Sequence, residues 1–205
     1  VNRLNDWVPN VRAAAEARLS EMCARLDRGL LARCIEYLWR FDEYGRASSA
    51  GREIVAGLID DDATAAAVRE WVLQKSDDRS LRLAQHLLRS PALDDLLIGL
   101  ATRHKHPRLR ALAAKAALEG VFSWRSRTAQ KRSISVAFDR AAMALSLLKD
   151  RSADVQHHAL QHLSQNLQDR AALDHILKRY LLHPRQKLSE TAQWRLGKLG
   201  VDWLA

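Results

Sequence analysis

Three histidines fall within the seven-residue stretch QHHALQH, at His157, His158 and His162. His158 and His162 are four positions apart, and this spacing places both imidazoles on one face of a helix. Two imidazoles can contribute to a zinc site, but zinc needs three or four ligands. The remainder of the sequence places no third ligand beside them. We therefore expect the histidines to lie at the margins of a helix surface, holding no metal and no other cofactor.

A second cluster with chemical potential lies between residues 120 and 136, where two aromatic and four basic residues occur without an acidic residue. Basic groups beside an aromatic side chain suit contacts with phosphates and stacking on a nucleotide base. They equally suit the acidic patch of a protein partner, with the aromatic residue as an anchor. A third interpretation is an insertion, or a long basic connection, whose aromatic residues pack back onto the fold. The cluster consists of Phe122, Trp124, Arg125, Arg127, Lys131 and Arg132.

The overall charge agrees with an acidic partner but does not prove one. The 205 residues include 33 Lys and Arg against 24 Asp and Glu, which gives a formal net charge of +9. Such an excess favours association with acidic or polyanionic molecules. An arginine-rich source proteome is the alternative explanation, because acidic and basic residues are mostly interspersed. The high hydrophobic content and the scarcity of Gly and Pro indicate a folded, helical chain.

Cysteine usage and hydropathy predict the compartment. Cys23 and Cys34 are too few for a disulfide framework. No apolar run approaches the ~18 residues of a membrane span, and no signal peptide is apparent. We therefore expect a cytoplasmic protein that has no membrane partner.

A short pattern recurs along the chain and identifies the elements that position these residues. It consists of a polar turn, an apolar residue, often a basic residue, then a small residue and Leu. The stretches between the copies repeat apolar residues at spacings of three and four, as amphipathic helices do. The copies are WVPNVRAAAEARL (7–19), DDRSLRLAQHLL (77–88), HPRLRALAAKAAL (106–118), RSADVQHHALQHL (151–163), the weaker HPRQKLSETAQWRL (183–196) and the degenerate ASSAGREIVAGL (47–58).

VPNVRAAAEARL, HPRLRALAAKAAL and SADVQHHALQHL resemble the second-helix signature of the HEAT-repeat family, which is armadillo-like. The resemblance covers nearly the whole chain at the level of helical pairs. It implies an all-α fold, a right-handed α-solenoid of about five to six helical hairpins. We expect one repeat array over residues 1–205, with the second helices lining a concave groove. Because the chain opens on a second-type helix at 8–22, we also expect that residues before Val1 have been removed, or that this helix is an atypical cap.

The basic residue of the pattern falls within the apolar arc of its helix, where it cannot remain unpaired. It is Arg12, Arg82 and Arg110 in three copies, and Gln156 replaces it in QHHALQH. We expect each side chain to reach a carboxylate or the carbonyls of the preceding turn. The family resemblance implies an Asp–Arg ladder that runs from repeat to repeat. The nearby carboxylates are Asp6, Asp77, Asp78 and Asp150.

The HEAT resemblance implies a function by binding and predicts almost nothing about catalytic activity. The favoured interpretation is a non-catalytic scaffold or adaptor that holds an acidic protein partner in its groove. The alternative is a nucleic-acid-binding array that uses the 120–136 cluster and basic residues of the second helices. Those residues are Arg108, Arg110, Arg185 and Lys187.

Catalysis has little support in the sequence, since no GxSxG, HExxH or Walker motif occurs. The chain is similar in size, charge and tryptophan content to HEAT-like alkylpurine DNA glycosylases, which implies a catalytic Asp beside tryptophans. Asp42, near Trp39, and Asp202 are the candidates, but neither lies in the tryptophan-rich motif of that family. We expect Trp39, Trp71 and Trp194 to pack in the core or between repeats, because all three follow helical patterns.

Overall fold

The computed structural model describes residues 2–27, 29–30, 34, 48–60, 62–74, 81, 84, 88, 90–122 and 130–201. Its contacts divide the chain into two compact units, Val1–Leu93 and Asp94–Ala205. The described residues are mostly helical, with one short antiparallel pairing of Val121–Phe122 with Gln130–Lys131. The predicted all-α class is therefore confirmed, while the single array over 1–205 stays a prediction. No helix among the described residues has the length and apolar character needed to cross a membrane.

The first unit is built from helices that follow a short 3-10 segment at Asn2–Asn5 and precede another at Pro91–Leu93. The helices of this unit whose bounds fall in the described ranges are α1 (Pro9–Arg25), α2 (Ser49–Asp60) and α3 (Asp62–Gln74). Helix α1 packs on the 3-10 segment and on α2, and α2 packs on α3.

Burial in the first unit is concentrated outside α1, in which no residue is fully buried. Leu4 and Leu58 form a small core against which one side of α1 packs. Trp71 of α3 is buried, so the predicted burial of this tryptophan is confirmed. Trp39 lies outside the described residues.

The second unit contains three helical pairs, each joined by a short turn. Within each pair the two helices pack together, and the second helices of successive pairs also contact each other in order. The pairs are α4 (Leu96–Arg103) with α5 (Pro107–Glu119), α6 (Arg140–Leu147) with α7 (Ala153–Asn166), and α8 (Arg170–Tyr180) with α9 (Gln186–Lys198).

The buried side of each second helix repeats one residue pattern. An apolar residue near the start of each helix is followed by buried residues four and eight positions later, which a helix aligns on one face. The middle residue is Ala in every case, and its small side chain lets neighbouring helices approach closely. These buried residues are Leu109, Ala113 and Ala117 in α5, Val155, Ala159 and Leu163 in α7, and Leu188, Ala192 and Leu196 in α9.

The polar turns before the second helices share one hydrogen bond. In each turn the first side chain accepts the N–H of the residue two positions later, and the helix begins one residue after that. Such a bond satisfies a donor that the helix start leaves unpaired. The recurring sequence pattern therefore corresponds to a recurring backbone structure. The pairs are Asp6 with Val8 (3.1 Å), His104 with His106 (3.1 Å), Asp150 with Ser152 (2.7 Å) and His183 with Arg185 (3.1 Å).

Candidate partner-binding surface

Arg110 occupies the position predicted for a ladder residue and makes the contacts expected there. Its Nε lies 2.8 Å from Oδ2 of Asp150, and its Nη2 lies 2.9 Å from Oδ1. Its Nη1 donates to the carbonyl oxygens of His104 and Lys105. The side chains of Arg110 and Asp150 are only 14% and 11% exposed. The guanidinium is thus held within the fold and is not presented to a ligand.

The equivalent residues in two other copies reach back to the same carbonyl position. Arg12 donates to the carbonyl oxygen of Asp6 at 2.7 Å, six residues earlier. Gln156 donates to the carbonyl oxygen of Asp150 at 2.7 Å, again six residues earlier. Gln156 therefore serves as the neutral donor in place of arginine. Arg82, Asp77 and Asp78 lie outside the described residues.

The 120–136 cluster is only partly described, and two of its members are engaged inside the fold. Phe122 is 1% exposed, and the Arg132 guanidinium lies 4.0 Å from the centre of its ring. Lys131 is exposed on the short strand pairing. Trp124, Arg125 and Arg127 lie outside the described residues. The predicted binding role of this cluster stays a prediction, but Phe122 and Arg132 have structural contacts.

Asp94, just before α4, holds the last part of the 120–136 region. The buried carboxylate accepts hydrogen bonds from both terminal nitrogens of Arg132, and also from the N–H and hydroxyl of Ser135. Burial by itself raises the pKa of Asp94, but the Arg132 and Ser135 hydrogen bonds outweigh it and hold the pKa below its usual value. The backbone turns at Gly120, just before the strand pairing, with a φ of 65°. A Cβ added at this position would lie 2.8 Å from the Arg132 carbonyl oxygen, which is too close for any residue but glycine.

One face of the second unit presents side chains from all three second helices. These side chains occupy the same three positions in each helix: one before the first buried residue of the repeat, six after it and ten after it. At 100° per residue the three positions lie on one side of a helix. We call this surface the second-helix face. Its members are Arg108, Lys115 and Glu119 of α5, Asp154, Gln161 and Gln165 of α7, and Lys187, Trp194 and Lys198 of α9.

Polar contacts connect the helices along this face. His158 Nδ1 lies 3.0 Å from Oε1 of Glu119, which links α7 to α5. His157 Nδ1 lies 3.2 Å from the Thr191 hydroxyl, which links α7 to α9. Lys187 donates to Asp154 at 2.9 Å between the same two helices. The histidines therefore bridge neighbouring helices at the surface.

His162 differs from the other two histidines because it is buried, at 7% exposure. Its Nδ1 lies 3.3 Å from the side-chain nitrogen of Asn166, one turn later in α7. Its helical-wheel position, at the edge of the buried stripe, predicted that His162 lies at the margin of the helix surface. The structure instead buries the side chain, because neighbouring elements cover it. Burial, followed by the positive charge of Arg140, lowers the pKa of His162.

The electrostatics of the face keep His157 neutral near pH 7. Burial is the main cause and the charges of Lys187 and His158 add to it, so the pKa of His157 falls to about 4. The rings of His157 and His158 contact each other edge-on, with centres 5.5 Å apart, but their Nδ1 atoms face Thr191 and Glu119 respectively. Within the described ranges, no group of three or more His, Cys, Asp or Glu residues is arranged to hold a metal ion.

Trp194 is an exposed residue that the sequence reasoning placed in the interior. Its side chain is 60% exposed on α9, so the predicted core packing is wrong. The indole stands beside Lys198, whose Nζ lies 5.6 Å from the ring centre. The missed signal is repeat position: Lys115 and Gln161 occupy the same outward site in the other second helices.

The other basic residues predicted for binding are exposed. Arg108 and Lys187 belong to the second-helix face, and Arg185 lies in the turn before α9. Asp42 and Asp202, the carboxylates considered for a glycosylase, lie outside the described residues.

No family model matches the chain, and no curated protein or solved structure matches it. The HEAT resemblance therefore rests on the sequence pattern and stays a prediction.

Proposed function

We propose that this chain is a HEAT-like α-solenoid that acts without catalysis, as a scaffold or adaptor for a protein partner in the cytoplasm. The solenoid is supported by the order in which α5, α7 and α9 contact each other. It is also supported by the turn hydrogen bond that precedes each of them. In such arrays each repeat contacts its neighbours, and the repeated faces together form an extended binding surface.

The observation that carries the binding proposal is the exposure of Trp194. An indole at 60% exposure leaves a large apolar surface in water, on a helix whose opposite side is fully buried. Tryptophan is enriched among the residues that dominate binding energy at protein interfaces. It offers a large contact area and loses few rotameric states on binding. Trp194 is thus a ready anchor for a partner.

The surroundings of Trp194 favour an acidic partner. The contacts of Asp154 with Lys187 and of His157 with Thr191 hold α9 against α7, so the anchor stands on an ordered surface. Lys198 places a positive charge beside the indole. The complementary surface is an apolar socket that receives Trp194, with a carboxylate at its rim to face Lys198. An acidic protein partner meets both requirements.

The experiment that tests this proposal uses photo-cross-linking from the second-helix face. A benzophenone amino acid replaces Trp194 in one protein and Leu182 in a control protein. Leu182 is 96% exposed in the turn before α9, so it presents an apolar side chain that is not a member of that face. Both proteins are irradiated in the extract of cells that express the chain, and cross-linked species are identified by mass spectrometry.

We expect one acidic protein to be cross-linked from position 194 and not from position 182. The identified partner is then purified, and its affinity for the native chain is measured directly. The same set of cross-links from both positions would contradict the proposal, because it would show that Trp194 is only a non-specific apolar contact.

A further inference from the structure

In the second unit, the turn between the two helices of each pair carries cationic side chains, and together these form a row. Each of these six side chains is exposed, and among the described residues none of them is paired with a carboxylate. In residues 102–108, 145–152 and 176–186 the one acid is Asp150, and Arg110 already holds it. We call this row the turn edge. It consists of Arg103, Lys105, Lys149, Arg151, Arg179 and Arg185.

A polar cavity of about 340 Å³ lies between the first two of these turns. Arg103, Lys149 and Arg151 line it, together with the Arg110–Asp150 pair. Since Arg110 and Asp150 neutralise each other, the three other cations leave a positive excess, and Leu147 is the one apolar residue in the lining. Such a site suits an anion with several oxygen atoms, because arginine and lysine can each donate to them.

An apolar cavity of about 590 Å³ adjoins it, between α6 and α8. Leu145, Leu148, Ile176 and Tyr180 contribute its apolar lining. Lys149 lines both cavities, so the polar and apolar sites are neighbours. This second cavity is large enough for a ring-shaped apolar group and has cations at its margin.

We propose that the turn edge binds single-stranded nucleic acid. The phosphates of the strand lie along the six cations, and one phosphate occupies the polar cavity. An unpaired base enters the apolar cavity beside Tyr180. A row of separate cations fits a chain of regularly repeated charges, and unpaired bases supply flat apolar groups between them. An acidic peptide supplies the charges without the rings. Binding at the turn edge does not depend on the second-helix face, so it is an activity beyond partner binding.

Fluorescence anisotropy with labelled oligothymidine of about 16 nucleotides tests this proposal. The titration is repeated between about 50 and about 200 mM salt with the native chain and with the triple variant Arg103→Glu, Lys149→Glu, Arg151→Glu. A matched control carries Lys115→Glu, Lys187→Glu and Lys198→Glu, which change the net charge equally but lie on the second-helix face. Circular dichroism verifies that both variants are folded.

We expect the native chain to bind oligothymidine and the affinity to fall steeply with salt. The turn-edge variant should lose the three phosphate contacts and reduce the slope of log affinity against log salt by about 2, whereas the control should reduce it by much less. A duplex of equal length should bind more weakly, since its bases are not available. Equal losses in both variants, equal binding of polyglutamate or of duplex, or no binding at low salt would each overturn the proposal.

Discussion

Arg110 of α5 and Asp150 of the turn before α7 form a two-bond ion pair between residues 40 positions apart in the sequence. Asp150 also accepts the N–H of Ser152, and its carbonyl oxygen accepts the side chain of Gln156. Asp150 therefore binds α5 of the preceding helical pair and also stabilises the start of α7. This relationship explains how a sequence pattern that is local can position helices from different pairs.

The Asp150→Ala variant should lose about 3 kcal/mol of unfolding free energy, because it leaves the largely buried Arg110 guanidinium without its carboxylate. The control is Asp154→Ala, which removes the exposed pair with Lys187 and should cost about 1 kcal/mol or less. Urea denaturation measures both. Equal losses in the two variants would show that the Arg110 pair has no special structural role.

The Asp94→Ala variant should release the segment that carries Arg132 and Ser135 from the start of α4. The Ser135 N–H donates to Asp94 at 2.8 Å, so its amide hydrogen exchange should accelerate in the variant. The lowered pKa of Asp94 adds a pH dependence: its stabilising contribution is present above its usual pKa and is lost as the pH falls through its lower folded-state pKa. Unchanged exchange at Ser135 would show that the carboxylate does not hold this segment.

Acidification should destabilise the second unit through His157. Its pKa is about 4 in the folded chain against a usual 6.5, so the unfolded chain binds more protons between these values. The unfolding free energy should therefore fall as the pH is lowered from about 6.5 to about 4. His157→Gln should flatten part of this slope in urea denaturation series, and buried His162 accounts for a further part. A variant with the same slope as the native chain would refute the assignment to His157.

The QHHALQH stretch should bind no stoichiometric zinc. His158 faces Glu119, His157 faces Thr191 and His162 is buried beside Asn166, so the three rings do not converge. A zinc site needs three or four ligands around one ion. Metal analysis after dialysis against dilute zinc measures this. One equivalent of zinc that disappears in His158→Ala would contradict the structure.

Sequence reasoning located the turns and helices of the second unit because their pattern is local. The turn residue, the helix start and the alanine at the centre of each core follow one another within ten positions, as at Asp150, Ala153 and Ala159. The need for Arg110 to find a partner also followed from its helical angle alone. These features depend on one helix and its own turn.

Burial depends on neighbouring elements, and there the sequence was less informative. A helical wheel gives the angle of His162 but does not reveal what covers it. The aromatic character of Trp194 suggested burial, although its repeat position is the outward one. Phe122 looked like part of a basic surface cluster because charged residues follow it, and the strand pairing returns it to the core.

Partner binding through Trp194 is tested most directly by purifying the cross-linked partner and measuring its affinity for three forms of the chain. Isothermal titration calorimetry compares the native chain with Trp194→Ala and with the matched control Leu182→Ala. Removing an interface anchor costs about 2 kcal/mol or more, so we expect Trp194→Ala to weaken binding about 30-fold or more. Leu182→Ala should bind like the native chain. Native affinity in Trp194→Ala would contradict the claim that the second-helix face holds the partner.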